Sequence, residues 1–310
     1  MNVMGNQMVL ILGVTASGKG RLAFDLARQA GAEIISIDSM KVYRRMDIGT
    51  AKPPKEAREK IKYHLIDIAE PSESFSVGKF LDSACDAIEQ IKSRNKPIVA
   101  IGGTALYIKA LLYGLFSGPG NDEQIRAELH RRALDEGPEL LHRELVKADP
   151  AAAERIHPND SKRIIRALEV YKITGKPISQ LQQQWKQQGK CPWKIIGLRR
   201  EKTEENKGIN ARVKKMIEQG LVEEVKSLLA EDKPLSKQAR CAIGYAEIID
   251  YLAGKMSLED AIELIKKNSR YLAKHQRTWF RSFKDVNWLD ITPDDSSEQI
   301  LEKAGTLLKV

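Results

Sequence analysis

The chain has 310 residues, 42% hydrophobic and 30% charged, which fits a folded protein of one large or two ordinary domains and excludes a disordered one. Its 51 basic side chains face 42 acidic ones, and the net charge of +9 leans toward a polyanionic partner without naming it. No apolar run approaches the ~18 residues that cross a bilayer. The N-terminus, MNVMGNQMVLILG, lacks a basic segment and a cleavage-like site, so a cytoplasmic protein with no membrane partner is expected. Cys85, Cys191 and Cys241 are far apart without metal-ligand spacing and are expected as reduced, buried thiols. The histidines form no i, i+4 pair with a nearby acid, so no zinc site is proposed.

Met8 to Leu12 is a short apolar run, expected as a strand, that enters the glycine loop GVTASGKG (13–20). Leu22, Ala23, Leu26 and Ala27 then recur at helical spacing. EIISID, ending at Asp38, and KPIVAIGGT, ending at Gly102, Gly103 and Thr104, read as further strands, with a helical pattern from Phe80 to Ile91 between them. Strands alternating with helices predict a parallel sheet flanked by helices, the core of a P-loop-type α/β fold over residues 1–118. Such a sheet binds ligands outside the carboxyl ends of its strands. The glycine loop, Asp38 and Thr104 each follow a strand and are expected on one rim. From 119 to 190 the strands give way to helical, charge-rich stretches, read as an inserted helical domain. WKIIGL, Trp193 to Leu198, reads as a strand returning to the core, and 191–310 continues with helices, a VNWLDI strand and a terminal helix.

Gly13, Gly18 and Lys19 match the pattern G-x-x-x-x-G-K. Following a strand and opening a helix, the loop reads as a phosphate cradle made by the backbone of Gly13, Val14, Thr15, Ala16, Ser17, Gly18, Lys19 and Gly20. Lys19 would neutralise a phosphate or diphosphate. The bland reading is a tight turn that binds nothing. Gly20 stands where Ser or Thr usually holds magnesium, so a magnesium ion would rely on water, Ser17 or a carboxylate elsewhere. Asp38 has three readings: a turn cap, a magnesium holder through water, or a general base. Thr104 is either a helix N-cap or a hydroxyl aimed at a ligand.

Arg270, Lys274, Arg277, Arg281 and Lys284 recur at spacings of 4, 3, 4 and 3, which puts them on one helix face with no acid between the first and the last. Ile265, Leu272, Trp279 and Phe283 are expected to bury on the opposite face. A basic stripe of this kind is either a solvated face or a contact for a phosphate backbone. Lys162, Arg163 and Arg166 form a second basic cluster within the insertion.

Six stretches, in order, carry a resemblance: DSMKVYRRMDIGTAKP (38–53), HLIDIAEPSESFSV (64–77), IGGTALYIKALLYG (101–114), IHPNDSKRIIRALEVYKITGKPIS (156–179), AIGYAEIIDYLAG (242–254) and SRYLAKHQRTWFR (269–281). Together they resemble the tRNA dimethylallyltransferases over almost the whole chain. The resemblance implies transfer of a dimethylallyl group from its diphosphate to N6 of an adenosine beside the anticodon of tRNA, with release of pyrophosphate and with magnesium as cofactor. It implies that Asp38 is the base, that Thr104 positions the amine and that Arg212 lies near the leaving diphosphate. It also implies a tRNA contact from Arg126, and with tRNA as the partner Asp38, Ser39, Met40, Lys41 and Thr104 at the rim, the basic cluster Lys162, Arg163 and Arg166, and Lys274, Arg277 and Arg281 of the stripe are expected to meet it. Nothing in the sequence demands more than a monomer.

The chain departs from the family pattern at Gly20, at Gly208 where an arginine is usual, at Ala246 where a basic residue is common, and at His275 in place of an arginine. Altered magnesium dependence or a slower rate is the expected consequence. Three rivals stand beside this reading: a P-loop kinase, a prenyltransferase acting on free adenine nucleotides, and a drifted relative that binds tRNA with weak or no transfer.

Overall fold

The computed structural model describes residues 7–115, 118–120, 122–182 and 193–309. In chain order the first part runs β1 (Met8–Gly13), α1 (Lys19–Ala30), β2 (Glu33–Ile37), α2 (Lys55–Lys60), β3 (Tyr63–His64), α3 (Val77–Ser93), β4 (Ile98–Gly102) and α4 (Ala105–Tyr113). Five helices follow: α5 (Glu123–Asp135), α6 (Pro138–Ala148), α7 (Pro150–Ala153), α8 (Ser161–Thr174) and α9 (Ile178–Leu181). The chain returns through β5 (Trp193–Arg199), α10 (Lys202–Glu218), α11 (Leu221–Leu229), α12 (Lys237–Arg240), α13 (Tyr245–Leu252), α14 (Leu258–Phe280), β6 (Val286–Asp290) and α15 (Ser297–Lys309). Two compact units result, one of 1–112 with 191–310 and one of 113–190.

All six strands join one parallel sheet in the order β3-β2-β4-β1-β5-β6. The expected α/β core is observed. Its inner strands are buried on both faces, which is why MVLILG and EIISI read as unbroken apolar runs instead of alternating ones. Leu22, Ala23, Leu26 and Ala27 of α1 pack with Ala304 and Leu308 of α15 against Val9, Ile11 and Ile196. The register sets Gly102 of β4 beside both Leu12 of β1 and Ile37 of β2, and Gly13 beside Leu198 of β5. Four strands therefore end level, and the loops after them leave along one rim.

The insertion has its own core of Leu129, Leu141, Leu145, Ile164, Leu168 and Ile178. Asp149 is buried there, and among the described residues it has no charged partner. It caps α7 through the Ala152 N–H at 2.9 Å and accepts both the N–H and the hydroxyl of Ser179, at 2.8 and 2.6 Å. Such bonds offset the cost of burying a carboxylate.

Two expectations are corrected. Cys85 and Cys241 are free thiols but exposed, Cys85 on the outward side of α3 and Cys241 just past the end of α12; Cys191 falls outside the described residues. On α14, Ile265 is buried and Phe283 just beyond the helix is too, but Leu272 is 41% and Trp279 40% exposed. The inward stripe is Ala261, Ile265, Ala273, Gln276 and Phe280. It turns around the helix axis because the helix packs on α10 and α13 and also reaches β1, so a single straight face does not describe it. Among the described residues no helix is long and apolar enough to cross a membrane.

Candidate active site

The loop between β1 and α1 bends through left-handed backbone at Ala16 (φ 63°) and Gly18 (φ 92°). That alternation turns N–H groups inward, and the first N–H groups of α1 have no partner within the helix. The loop is fastened from three sides. Gln276 of α14 accepts the Thr15 N–H at 2.8 Å and donates to the Gly103 carbonyl at 2.9 Å. Arg200, just after β5, donates to the Ser17 carbonyl at 3.1 Å. Arg212 of α10 donates to the Thr15 hydroxyl at 2.9 Å. A side chain at position 103 would overlap the Gln276 amide, so the glycine there is a steric requirement of the clasp.

Asp38 follows β2. Its Oδ1 accepts the N–H groups of Met40 and Lys41 at 2.9 and 3.2 Å, and among the described residues no donor reaches its second oxygen. Thr104 gives its carbonyl to the first turn of α4. Its hydroxyl does not cap that helix and instead accepts the Ser39 N–H at 3.1 Å. The turn after β2 and the turn after β4 are thereby tied together.

The segment carrying Asp38 is held in place by its far end. Glu224 of α11 accepts the N–H groups of Asp47, Ile48 and Gly49, at 2.9, 2.8 and 3.2 Å, and the Tyr245 hydroxyl at 2.6 Å. The buried Lys52 ammonium donates to the Tyr43 carbonyl, Asp47 and Asp67 at 2.5 to 2.6 Å. A stretch with almost no regular secondary structure is thus fixed by side chains.

Around Asp38 stand Lys19, Lys41 and Arg212. Burial, then Arg212 and Lys41, pull the Lys19 ammonium down to about 7, against the opposing pull of Asp38. Burial and the nearby Arg212 and Lys52 lower Lys41, while Asp38 supports its charge. Burial lowers Arg212 in turn, again opposed by Asp38. Lys19 donates to the Val14 carbonyl at 3.0 Å. Among the described residues none of the three cations is in an ion pair. One carboxylate facing three unpaired cations is chemically a receptor for a polyanion.

The donor set does not fit a magnesium ion held by the protein. A Cβ built on Gly20 would meet nothing within 4 Å, so the usual hydroxyl is missing and nothing has filled its place. The Ser17 hydroxyl is sealed from solvent without a partner and faces Gly13 beneath the loop. Among the described residues no three acids, histidines or cysteines gather as a metal site.

The structure brings Gly13 to Gly20, Asp38, Ser39, Met40, Lys41, Thr104 and Arg212 to one rim. Sequence reasoning missed Gln276 and Arg200. The available signal for Gln276 was a polar residue on the apolar stripe of α14. Lys274 and Arg281 line an open groove of about 760 Å³ with Lys202, Lys267, Arg270 and Tyr271. Arg277 is also at this groove, but its guanidinium is held by the buried Glu205 of α10. Within the insertion, Arg126 and Arg166 converge on the buried Glu169 at 3.0 and 2.7 Å, and Arg163 pairs with Asp160 at 2.6 Å. Lys162 is exposed.

The model of the IPP transferase family matches residues 41–283. A tRNA dimethylallyltransferase of Geobacter metallireducens is 45% identical over 286 residues, 92% of either chain. One of Acetivibrio thermocellus is 44% identical over 299 residues, 96% of either chain. The crystal structure of a tRNA isopentenylpyrophosphate transferase from Bacillus halodurans, 41% identical, superposes with a TM-score of 0.71 over 98% of this chain and 97% of that one. A eukaryotic dimethylallyltransferase captured acting on tRNA, 28% identical, gives 0.79 over 96% of this chain and 77% of its own. A family model spanning most of the chain, and relatives this similar from end to end, make the chain a member of the IPP transferase family.

Proposed function

We infer that the chain is a tRNA dimethylallyltransferase, working in the cytoplasm on the adenosine beside the anticodon. The observation that carries the chemistry is the rim cluster: a carboxylate with one unengaged oxygen beside a phosphate loop and three unpaired cations.

The adenine N6 lone pair is delocalised and weakly nucleophilic. As it attacks the allylic carbon, the N–C bond forms and the C–O bond to the diphosphate breaks. The electron pair leaves on the diphosphate oxygen, and an N6 proton passes to the Asp38 carboxylate. The Thr104 hydroxyl, fixed against Ser39, positions the amine. Lys19, Arg212 and the loop N–H groups meet the charge that grows on the leaving group. The adenine reaches the rim by leaving its stack, which costs little in a single-stranded loop. Lys274 and Arg281, on the groove of α14, and the exposed Lys162 of the insertion receive tRNA phosphates. Arg277, Arg126, Arg163 and Arg166 reach the RNA only with charge already shared with acids. Magnesium, which the resemblance implied, has no protein-held site in this reading, and no step is routed through it.

The test is transfer of label from dimethylallyl diphosphate to unmodified tRNA, with pyrophosphate counted alongside. One pyrophosphate per label in tRNA is expected. Consumption of ATP with no labelled tRNA would mean a kinase, and tRNA binding with no label would mean a silent binder.

A further inference from the structure

We propose that Lys41 is a diphosphate ligand, and that Lys19, Lys41 and Arg212 together replace the magnesium ion that a phosphate loop of this pattern usually holds. The proposal deepens the diphosphate reading above and rests on it. Lys41 was expected to touch tRNA, but its surroundings point elsewhere. Its N–H is bonded to Asp38, which roots the side chain at the rim, and its ammonium is close enough to Lys19 and Arg212 to repel both.

Three features converge. First, the loop has lost its metal-directed hydroxyl at Gly20, and of its two remaining hydroxyls Ser17 is turned away beneath the loop while Thr15 accepts from Arg212 at 2.9 Å. Second, Gly208 lies on α10 against Ala16, where a Cβ would stand 3.5 Å from the Ala16 side chain, so no cation approaches the loop from that position. Third, Lys41 adds a positive charge that acts on Lys19 and is itself opposed by Arg212, so the cluster keeps three cationic side chains without the hydroxyl at position 20. Unpaired cations held close together are unfavourable in the empty protein and persist where a ligand relieves them. A diphosphate between the three ammonium and guanidinium groups would relieve all of them at once. A divalent ion added to the same cluster would add repulsion.

The experiment is calorimetric titration with inorganic pyrophosphate, in EDTA and in magnesium, for wild type, Lys41→Gln, Lys41→Arg, Gly20→Thr and the Gly20→Thr/Lys41→Gln double variant. Wild type is expected to bind in EDTA within about threefold of its affinity in magnesium, and Lys41→Gln to lose about tenfold or more in EDTA. Lys41→Arg keeps the charge and is expected to stay within about threefold of wild type, which separates charge from fold. The double variant is expected to bind only when magnesium is present. Wild-type binding that requires magnesium, or Lys41→Gln binding as tightly as wild type in EDTA, would overturn the proposal. The titration uses neither tRNA nor turnover. Pyrophosphate binding without prenyl transfer would therefore sink the transferase reading and leave this one, and transfer with magnesium-only binding would do the reverse.

Discussion

The two ends of β2 carry the same ingredients in opposite states. At its start the buried Glu33 meets three bases: His64 at 2.6 Å, Arg94 at 2.8 Å and Lys96 at 3.4 Å. Burial would raise this carboxyl, but the hydrogen bonds from Arg94, His64 and Lys96 outweigh it and hold Glu33 at about 2. Beyond its other end Asp38 also meets three basic groups, yet its bonded oxygen is taken by backbone N–H, and Lys19, Lys41 and Arg212 remain unpaired. The first cluster is closed and stabilises the fold. The second is open, costs stability when empty, and awaits an anion. A carboxylate among bases therefore says little until its partners' hydrogen bonds are followed.

Exchanging effects between the two ends is the sharpest way to break this contrast. Asp38→Asn keeps an oxygen for the Met40 and Lys41 N–H groups but cannot take a proton. Transfer is expected to fall by about 10²–10⁴-fold, with a modest fall in melting temperature because Lys19, Lys41 and Arg212 lose their one counter-charge, as steady-state kinetics and thermal melts would show. Equal transfer would remove Asp38 as the base. Glu33→Ala should do the converse. Removing the buried acid is expected to cost about 1–3 kcal/mol, because Arg94 and Lys96 are half-exposed and return to water, which is roughly 5 °C in melting temperature, with kcat/KM for the folded protein little changed.

The basic groove is expected to show an intermediate effect. Lys274→Glu with Arg281→Glu should weaken tRNA binding and lower the slope of log affinity against log salt by about 2, whereas Arg277→Ala should change the slope far less because Glu205 already holds that guanidinium. An unchanged slope in the double variant would make the groove a solvated face.

The smallest effects are on pH and stability. Glu33 is depressed from 4.5 to about 2 on folding, so its contribution is complete above 4.5 and is lost as pH falls toward 2. Acid melts of wild type against Glu33→Gln should differ less and less over that interval. Lys19 has the opposite form of linkage. Its folded value near 7 lies below the unfolded 10.5, so the unfolded chain binds more protons between them and the empty protein gains stability as pH rises through that range. Lys19→Met is expected to raise the melting temperature at pH 7 by about 2–4 °C while abolishing pyrophosphate binding.

The sheet was legible because apolar runs and helical spacings carry it. The glycine loop, Asp38 and Thr104 could be put on one rim from the simple fact that each follows a strand. Long-range side-chain bonds were not legible. Gln276 is 261 residues from its partner Thr15, Glu224 is 177 from Asp47, and no local spacing records either pairing. Reading α14 as one straight amphipathic helix buried Leu272 and Trp279 on paper, because the rotation of its inward stripe depends on which neighbours it meets along its length. The basic stripe likewise gave no sign that Arg277 belongs to Glu205. Exposure of Cys85 and Cys241 escaped for the same reason.

The open state of the rim cluster can be measured at Lys19 itself. Trace acetylation with acetic anhydride, read lysine by lysine by mass spectrometry from about pH 6 to pH 10, reports each ammonium's midpoint. A Lys19 midpoint near 7 is expected, raised by at least about one unit when pyrophosphate saturates the site. A midpoint in the ordinary lysine range, unmoved by pyrophosphate, would mean that the cluster is not an open anion receptor and would contradict the account.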